Sequence, residues 1–132
     1  MKTVPVHFNT WDGVKRTWDI PPSVYPPRED THFLADVLAT ELRGVQTRRI
    51  LEIGTGSGAL ALTLALEGHQ VTAIDIHPEA VAVAQGLADS HGLHGQLDAI
   101  EQDVRTLEFD SPYDLIVWNV PYLEPLDPEH HA

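Results

Sequence analysis

Acidic side chains, a run of glycines and an asparagine stand at the ends of apolar segments, where an alternating fold brings side chains to a ligand. The first group is Leu51-Glu52-Ile53-Gly54-Thr55-Gly56-Ser57-Gly58-Ala59. Glycines where a strand turns into a helix let the backbone pass close to a ligand, and the helix N-terminus adds free N–H groups. The motif alone is ambiguous. Gly54, Gly56 and Ala59 also satisfy the dinucleotide fingerprint, and a tight turn without a ligand is the plain alternative. The second group is Asp75, about 20 residues further on, where a carboxylate accepts hydrogen bonds from the vicinal hydroxyls of a ribose. An N-cap for the helix that follows is compatible with that role. Asp103 closes a third apolar segment, and with the main-chain N–H of Val104 it can read the amino edge of an adenine or simply make a turn. The fourth group, Asn119-Val120-Pro121-Tyr122, combines a side-chain carbonyl that accepts from a planar –NH₂, a stiff loop and a flat stacking face. Acceptors on both N–H bonds push electron density onto a nitrogen whose lone pair is otherwise delocalised. Such a nitrogen attacks an electrophilic methyl.

These residues need a scaffold that puts strand ends side by side. Residues 50–53, 71–76, 97–101 and 113–118 read as strands, and residues 59–67 and 78–90 as helices between them. Pro78 opens the second of these helices where its missing N–H costs nothing, and Val81, Ala84, Leu87 and Ala88 make its core face. Alternating strands and helices with short connections predict an α/β fold, a doubly wound, mostly parallel sheet in which the first and fourth of these strands are neighbours. A helix over residues 29–42 precedes them, with Phe33, Leu34, Val37, Leu38 and Leu42 on one face and Gly44 ending it. Residues 1–27 form a Trp- and Pro-rich arm, with a β-hairpin around Asp12-Gly13, and residues 28–132 form the ligand-binding core of what is a single domain overall.

Composition narrows the function classes. The chain has 132 residues and a formal charge of −12, from 20 Asp and Glu against 8 Lys and Arg. So negative a surface repels phosphate backbones, which argues against a nucleic-acid partner. The absence of Cys excludes disulfides, thiolate metal sites and thiol nucleophiles. No apolar stretch approaches the ~20 residues of a membrane span, and no signal-peptide run follows Met1, so a cytoplasmic protein is expected. His91, His94, His130 and His131 lie in a loop and the tail, and no metal is expected. Trp11, Trp18 and Tyr25 are expected to pack near Phe33 rather than to stack on bases.

The segments 51–58, 73–80 and 119–122 resemble the motifs of class I S-adenosylmethionine-dependent methyltransferases, and Tyr25-Pro26-Pro27-Arg28-Glu29-Asp30-Thr31 with the preceding hairpin resembles the entry segment of the HemK-type protein-(glutamine) methyltransferases, which modify release factors. The resemblance implies a Rossmann-like core that binds S-adenosylmethionine. It implies that Glu52, Gly54, Gly56 and Gly58 cradle the methionine end, that Asp75 holds the ribose and that Asp103 with Val104 meets the adenine edge. It places Thr31 over the cofactor, and gives Asn119, Pro121 and Tyr122 the acceptor nitrogen. The expected acceptor is a protein glutamine, in a release factor or another protein, or a small molecule.

Two departures keep other readings open. Val120 makes the last motif Asn-x-Pro-Tyr, the form of adenine dimethyltransferases of ribosomal RNA. The sequence also ends soon after this motif, where the family continues for several strands and helices. The alternatives are an adenine N-methyltransferase, a shortened domain that binds cofactor or partner without turnover, and, from Gly54, Gly56, Ala59 and Asp75, an NAD(P)-binding oxidoreductase. Because Leu115, Ile116, Val117 and Trp118 are apolar on both faces, the fourth strand is expected to sit inside a sheet, and a homodimer or partner to cover its edge.

Overall fold

β-Branched and aromatic residues on either side of Asp12-Gly13 form an antiparallel hairpin, β1 (Val4–Asn9) and β2 (Lys15–Ile20), with Val4 opposite Ile20 and Asn9 opposite Lys15. Its inner face is apolar, so Val6 and Ile20 are buried together with Val24 and Ala80, and Phe8 joins the main core. The computed structural model describes residues 2–42, 44–108 and 112–119.

The remaining elements follow in the order α1 (Glu29–Leu42), β3 (Arg49–Ile53), α2 (Ala59–Leu66), β4 (Gln70–Asp75), α3 (Pro78–Ser90), β5 (Leu97–Glu101) and β6 (Leu115–Trp118). The four later strands form one parallel sheet in the order β5-β4-β3-β6, so the chain reverses its direction of travel across the sheet between β5 and β6. The predicted adjacency of the first and fourth core strands is present: Ile50 lies opposite Leu115 and Ile53 opposite Trp118. Side chains alternate between faces along a strand. Ile50, Val71, Ala73, Leu97 and Val117 therefore join one cluster with residues from α1, α2 and α3. On the other face Leu51, Ile53 and Ile74 pack with Val104, Leu107 and Tyr113.

α2 is buried from Ala59 through Ala65, which explains why its sequence shows no polar stripe. The other helices differ from the sequence reading in rotation. In α1 the buried residues are Thr31, Ala35, Leu38 and Leu42, whereas Phe33 is 70% exposed and Val37 is exposed. Phe8 of the hairpin stacks on His32 at 4.8 Å between ring centres, a contact that turns the Ala35 side of α1 inward against α2 and leaves Phe33 outside. In α3 Ala80, not Val81, joins Ala84, Leu87 and Ala88 inside, because the hairpin residues Val6, Ile20 and Val24 pack on that edge of the helix.

Among the described residues β6 is the rim of the sheet, with Val117 buried but Ile116 and Trp118 exposed. Its apolar composition implied two covered faces; the register puts only Val117 and Leu115 toward the helix-covered core.

Candidate functional site

The turn after β3 is shaped by glycines in the left-handed region, Gly54 at φ 81°, Gly56 at φ 53° and Gly58 at φ 81°. L-residues with a Cβ are penalised there by about 1–2 kcal/mol. Gly54 and Thr55 both donate their main-chain N–H to Ile74 O, at 2.9 and 3.2 Å, which fastens the turn to the top of β4. The third glycine has a separate reason. A Cβ at Gly58 would lie 2.8 Å from Leu87 Cδ1 and 3.5 Å from Ala84 Cα, so this residue lets α2 start hard against α3. From above, the hairpin holds the same turn, as Trp18 Nε1 donates to Ser57 O at 3.0 Å.

Asp75 ends β4 and is nearly buried. One carboxylate oxygen accepts from Gly56 N at 3.1 Å and the other from His77 N at 3.0 Å. It thereby ties the glycine turn to the entry of α3, and each oxygen keeps further lone-pair capacity for a ligand hydroxyl. Asp103 follows β5 and accepts from Arg105 N at 2.9 Å, opening a short 3-10 turn. The Arg105 guanidinium grips both of its oxygens, and this pairing holds the Asp103 carboxyl down at about 2.

Between these strand ends lies a cavity of about 400 Å³. That size is in the range of small-molecule sites. Gly54, Gly56, Asp75, Asp103 and Val104 are on its wall, with Tyr25, Ile76 and Trp118. Arg28 stacks over the Tyr25 ring at 4.9 Å.

Glu52 and Asn119 form a second focus beside this cavity. Asn119 N donates to Ile53 O at 2.8 Å, extending the β3–β6 ladder by one step. Its side chain therefore shares a face with Val117 and, one strand over, with Glu52. Asn119 Nδ2 donates to Glu52 Oε2 at 3.0 Å. Glu52 is fully buried, and its Oε1 has no hydrogen-bond partner among the described residues. Burial raises its pKa from 4.5 to about 7; Thr55 and Asn119 oppose that rise, and the charge of Asp75 adds to it.

The methyltransferase domain family matches residues 50–131. The chain belongs to this family. Within it the relatives are of HemK type. This methyltransferase domain is 39% identical to the release factor glutamine methyltransferase of Deinococcus radiodurans over 125 residues, 89% of this chain and 41% of the relative. It is 37% identical to that of Chlorobaculum tepidum, with 74% of this chain and 37% of the relative covered. The chain thus spans about two fifths of the curated relatives it matches. Among solved structures, the 16S rRNA N2 G1207 methyltransferase of T. thermophilus, in complex with AdoMet and guanosine, superposes with a TM-score of 0.77 at 25% identity. That superposition covers 92% of this chain and 33% of the other.

The methyltransferase domain gathers Gly54, Gly56, Asp75, Asp103 and Val104 around one cavity. Glu52, Gly58 and Thr31 lie off its wall: Glu52 faces Asn119, Gly58 faces α3, and Thr31 Oγ1 accepts from Arg28 N at 3.4 Å at the start of α1. Pro121 and Tyr122 are outside the described residues. Sequence reasoning gave no cavity role to Tyr25, Ile76 or Trp118. Tyr25 lines the cavity and is half exposed, whereas Trp11 and Trp18 pack against the core. The signal for Ile76 and Trp118 was position, one residue past Asp75 and one before Asn119. Among the described residues no group of three His, Asp or Glu is placed to hold a metal ion, and no helix is long and apolar enough to cross a membrane.

Two stability effects follow in this methyltransferase domain. Gly58→Ala should lose about 2–4 kcal/mol, from left-handed backbone strain plus overpacking against Leu87. Gly68→Ala, also at positive φ but with open space around it, should lose only the strain part, and urea unfolding of the two variants measures the difference. For Glu52 the folded state holds its proton more tightly than the unfolded chain does, so its contribution is present at low pH and lost as pH rises from 4.5 through about 7. Glu52→Gln carries no such dependence. It should gain on the wild type by roughly 3 kcal/mol between acid and alkaline pH, read from urea midpoints of the two proteins.

Proposed function

We propose that this chain transfers the methyl group of S-adenosylmethionine to a planar amide nitrogen, that of a protein glutamine, with a translation release factor as the protein. The observation that carries the reading is Asn119 at the end of β6, with Nδ2 engaged by Glu52 and no hydrogen bond to its Oδ1 among the described residues. An amide held in that way offers an acceptor, which suits a substrate –NH₂ and does not suit a carboxylate or a hydride donor. The names of the relatives support glutamine as the acceptor.

The cavity fits the cofactor on the chemistry of its own walls. Asp75 keeps acceptor capacity for vicinal hydroxyls, Gly54 and Gly56 leave a main-chain surface without Cβ atoms, and Ile53, Ile76 and Val104 give apolar area for a flat base. When bound, S-adenosylmethionine supplies an activated methyl on a sulfonium, so no general base of unusual strength is required. The protein's share is position: Asn119 orients the acceptor nitrogen, and the stacked ends of β3 and β6 fix its distance from the glycine turn.

Two observations favour a second reading, an RNA base amino group as acceptor. The T. thermophilus likeness is to an enzyme of 16S rRNA, and Val120 fits the adenine form of the motif. The charge of −12 weighs against it. Calorimetric titration tests the cofactor directly. S-adenosylhomocysteine should bind and NAD should not; binding of NAD alone would refute methyl transfer.

A further inference from the structure

Glu52 is the one described carboxylate in this domain that is completely enclosed, and the cavity does not use it. It stands on the helix-covered face of β3, diagonal to Asn119 across the β3–β6 ladder. One oxygen is committed to Asn119 Nδ2, and the other has no partner among the described residues. The charged or titratable neighbour that acts on it is Asp75 on β4, which opposes its ionisation; from the glycine turn Thr55 adds a hydroxyl that favours the charged form.

An asparagine amide has two ends that differ only in what they offer, a carbonyl acceptor and an –NH₂ donor. An ionised carboxylate is purely an acceptor and selects the –NH₂ end. The carbonyl is then the end left for a ligand. We infer that Glu52 is a positioning residue that fixes which end of the Asn119 amide is presented to the methyl acceptor. With Glu52 ionised, Asn119 offers Oδ1 to a substrate N–H. With Glu52 protonated, its O–H can donate to Oδ1 instead, the amide can turn over, and an –NH₂ then confronts the substrate –NH₂. Two donors facing one another cannot bond, so the acceptor nitrogen is no longer drawn into place. The catalytic consequence rests on the methyl-transfer reading; the orientation of the amide does not.

The chain has two asparagines, Asn9 and Asn119, so selective isotope labelling of asparagine gives a side-chain NMR spectrum with two –NH₂ groups. In the wild type the Asn119 –NH₂ resonances should move with an inflection near the titration of Glu52, at about pH 7. In Glu52→Gln, whose carbonyl can still accept from Nδ2 but cannot ionise, that inflection should vanish. Wild-type Asn119 resonances that do not respond to pH, or the same inflection in Glu52→Gln, would overturn the assignment.

Turnover gives the second readout. Between about pH 8 and about pH 6, wild-type kcat should fall roughly tenfold, as expected for a single required ionisation. Glu52→Gln cannot ionise, and its kcat should not change across this range. A kcat profile identical in the two proteins would overturn the positioning role. The NMR inflection in a protein that methylates nothing would support the orientation of Asn119 and refute the methyl-transfer reading.

Discussion

Asn119→Ala is expected to bind S-adenosylhomocysteine within a few-fold of wild type and to lose about 10²–10³ in turnover, the usual cost of removing one preorganised polar group at a reacting centre. The split arises from geometry. Asn119 is not on the cavity wall, whereas its neighbour Trp118 is, so its removal leaves the residues of the wall in place. Removing it also leaves Glu52 Oε2 without its donor, where Oε1 already has no partner among the described residues. Part of the effect could therefore come through folding, and thermal unfolding of the variant beside the kinetics separates the two. Full turnover in Asn119→Ala would show that the chemistry occurs elsewhere.

Asp75→Ala should weaken S-adenosylhomocysteine binding at least tenfold. Two hydrogen bonds from ligand hydroxyls to a charged acceptor are lost, at roughly 1.5–3 kcal/mol each before water compensates. The structure adds a second cost, since the same carboxylate holds Gly56 N and His77 N. Without it the glycine turn and the start of α3 lose their shared tie. Asp75→Asn keeps one acceptor oxygen and should fall between the two. Equal affinity for wild type and Asp75→Ala, measured by calorimetry, would remove Asp75 from ribose binding.

The sheet and several residues of the cavity wall were legible because their signals are local. A β-branched run with a carboxylate at its end, as in Val71 to Asp75, specifies both a buried parallel strand and what waits at its tip. Gly54 and Gly56 spell out a backbone that L-residues avoid. What stayed hidden was tertiary. Phe33 and Val37 have the right spacing for a core face, yet the stacking of Phe8 on His32 goes with a rotation that leaves them outside. Gly58 reads as a ligand glycine in the motif, and its tightest constraint is Leu87 of another helix. Glu52 reads as part of the same motif, but its hydrogen bond with Asn119 spans 67 positions of sequence. Trp18 gave no hint that its indole would hold the carbonyl of Ser57.

The most direct test of methyl transfer to an amide nitrogen is mass spectrometry of a translation release factor incubated with this chain and S-adenosylmethionine, with an adenine-containing RNA in a parallel reaction. The release factor should gain one methyl group on the side-chain amide of a glutamine, and none with Asn119→Ala. A methyl group on the RNA base, or none on either acceptor while S-adenosylhomocysteine binds, would contradict it.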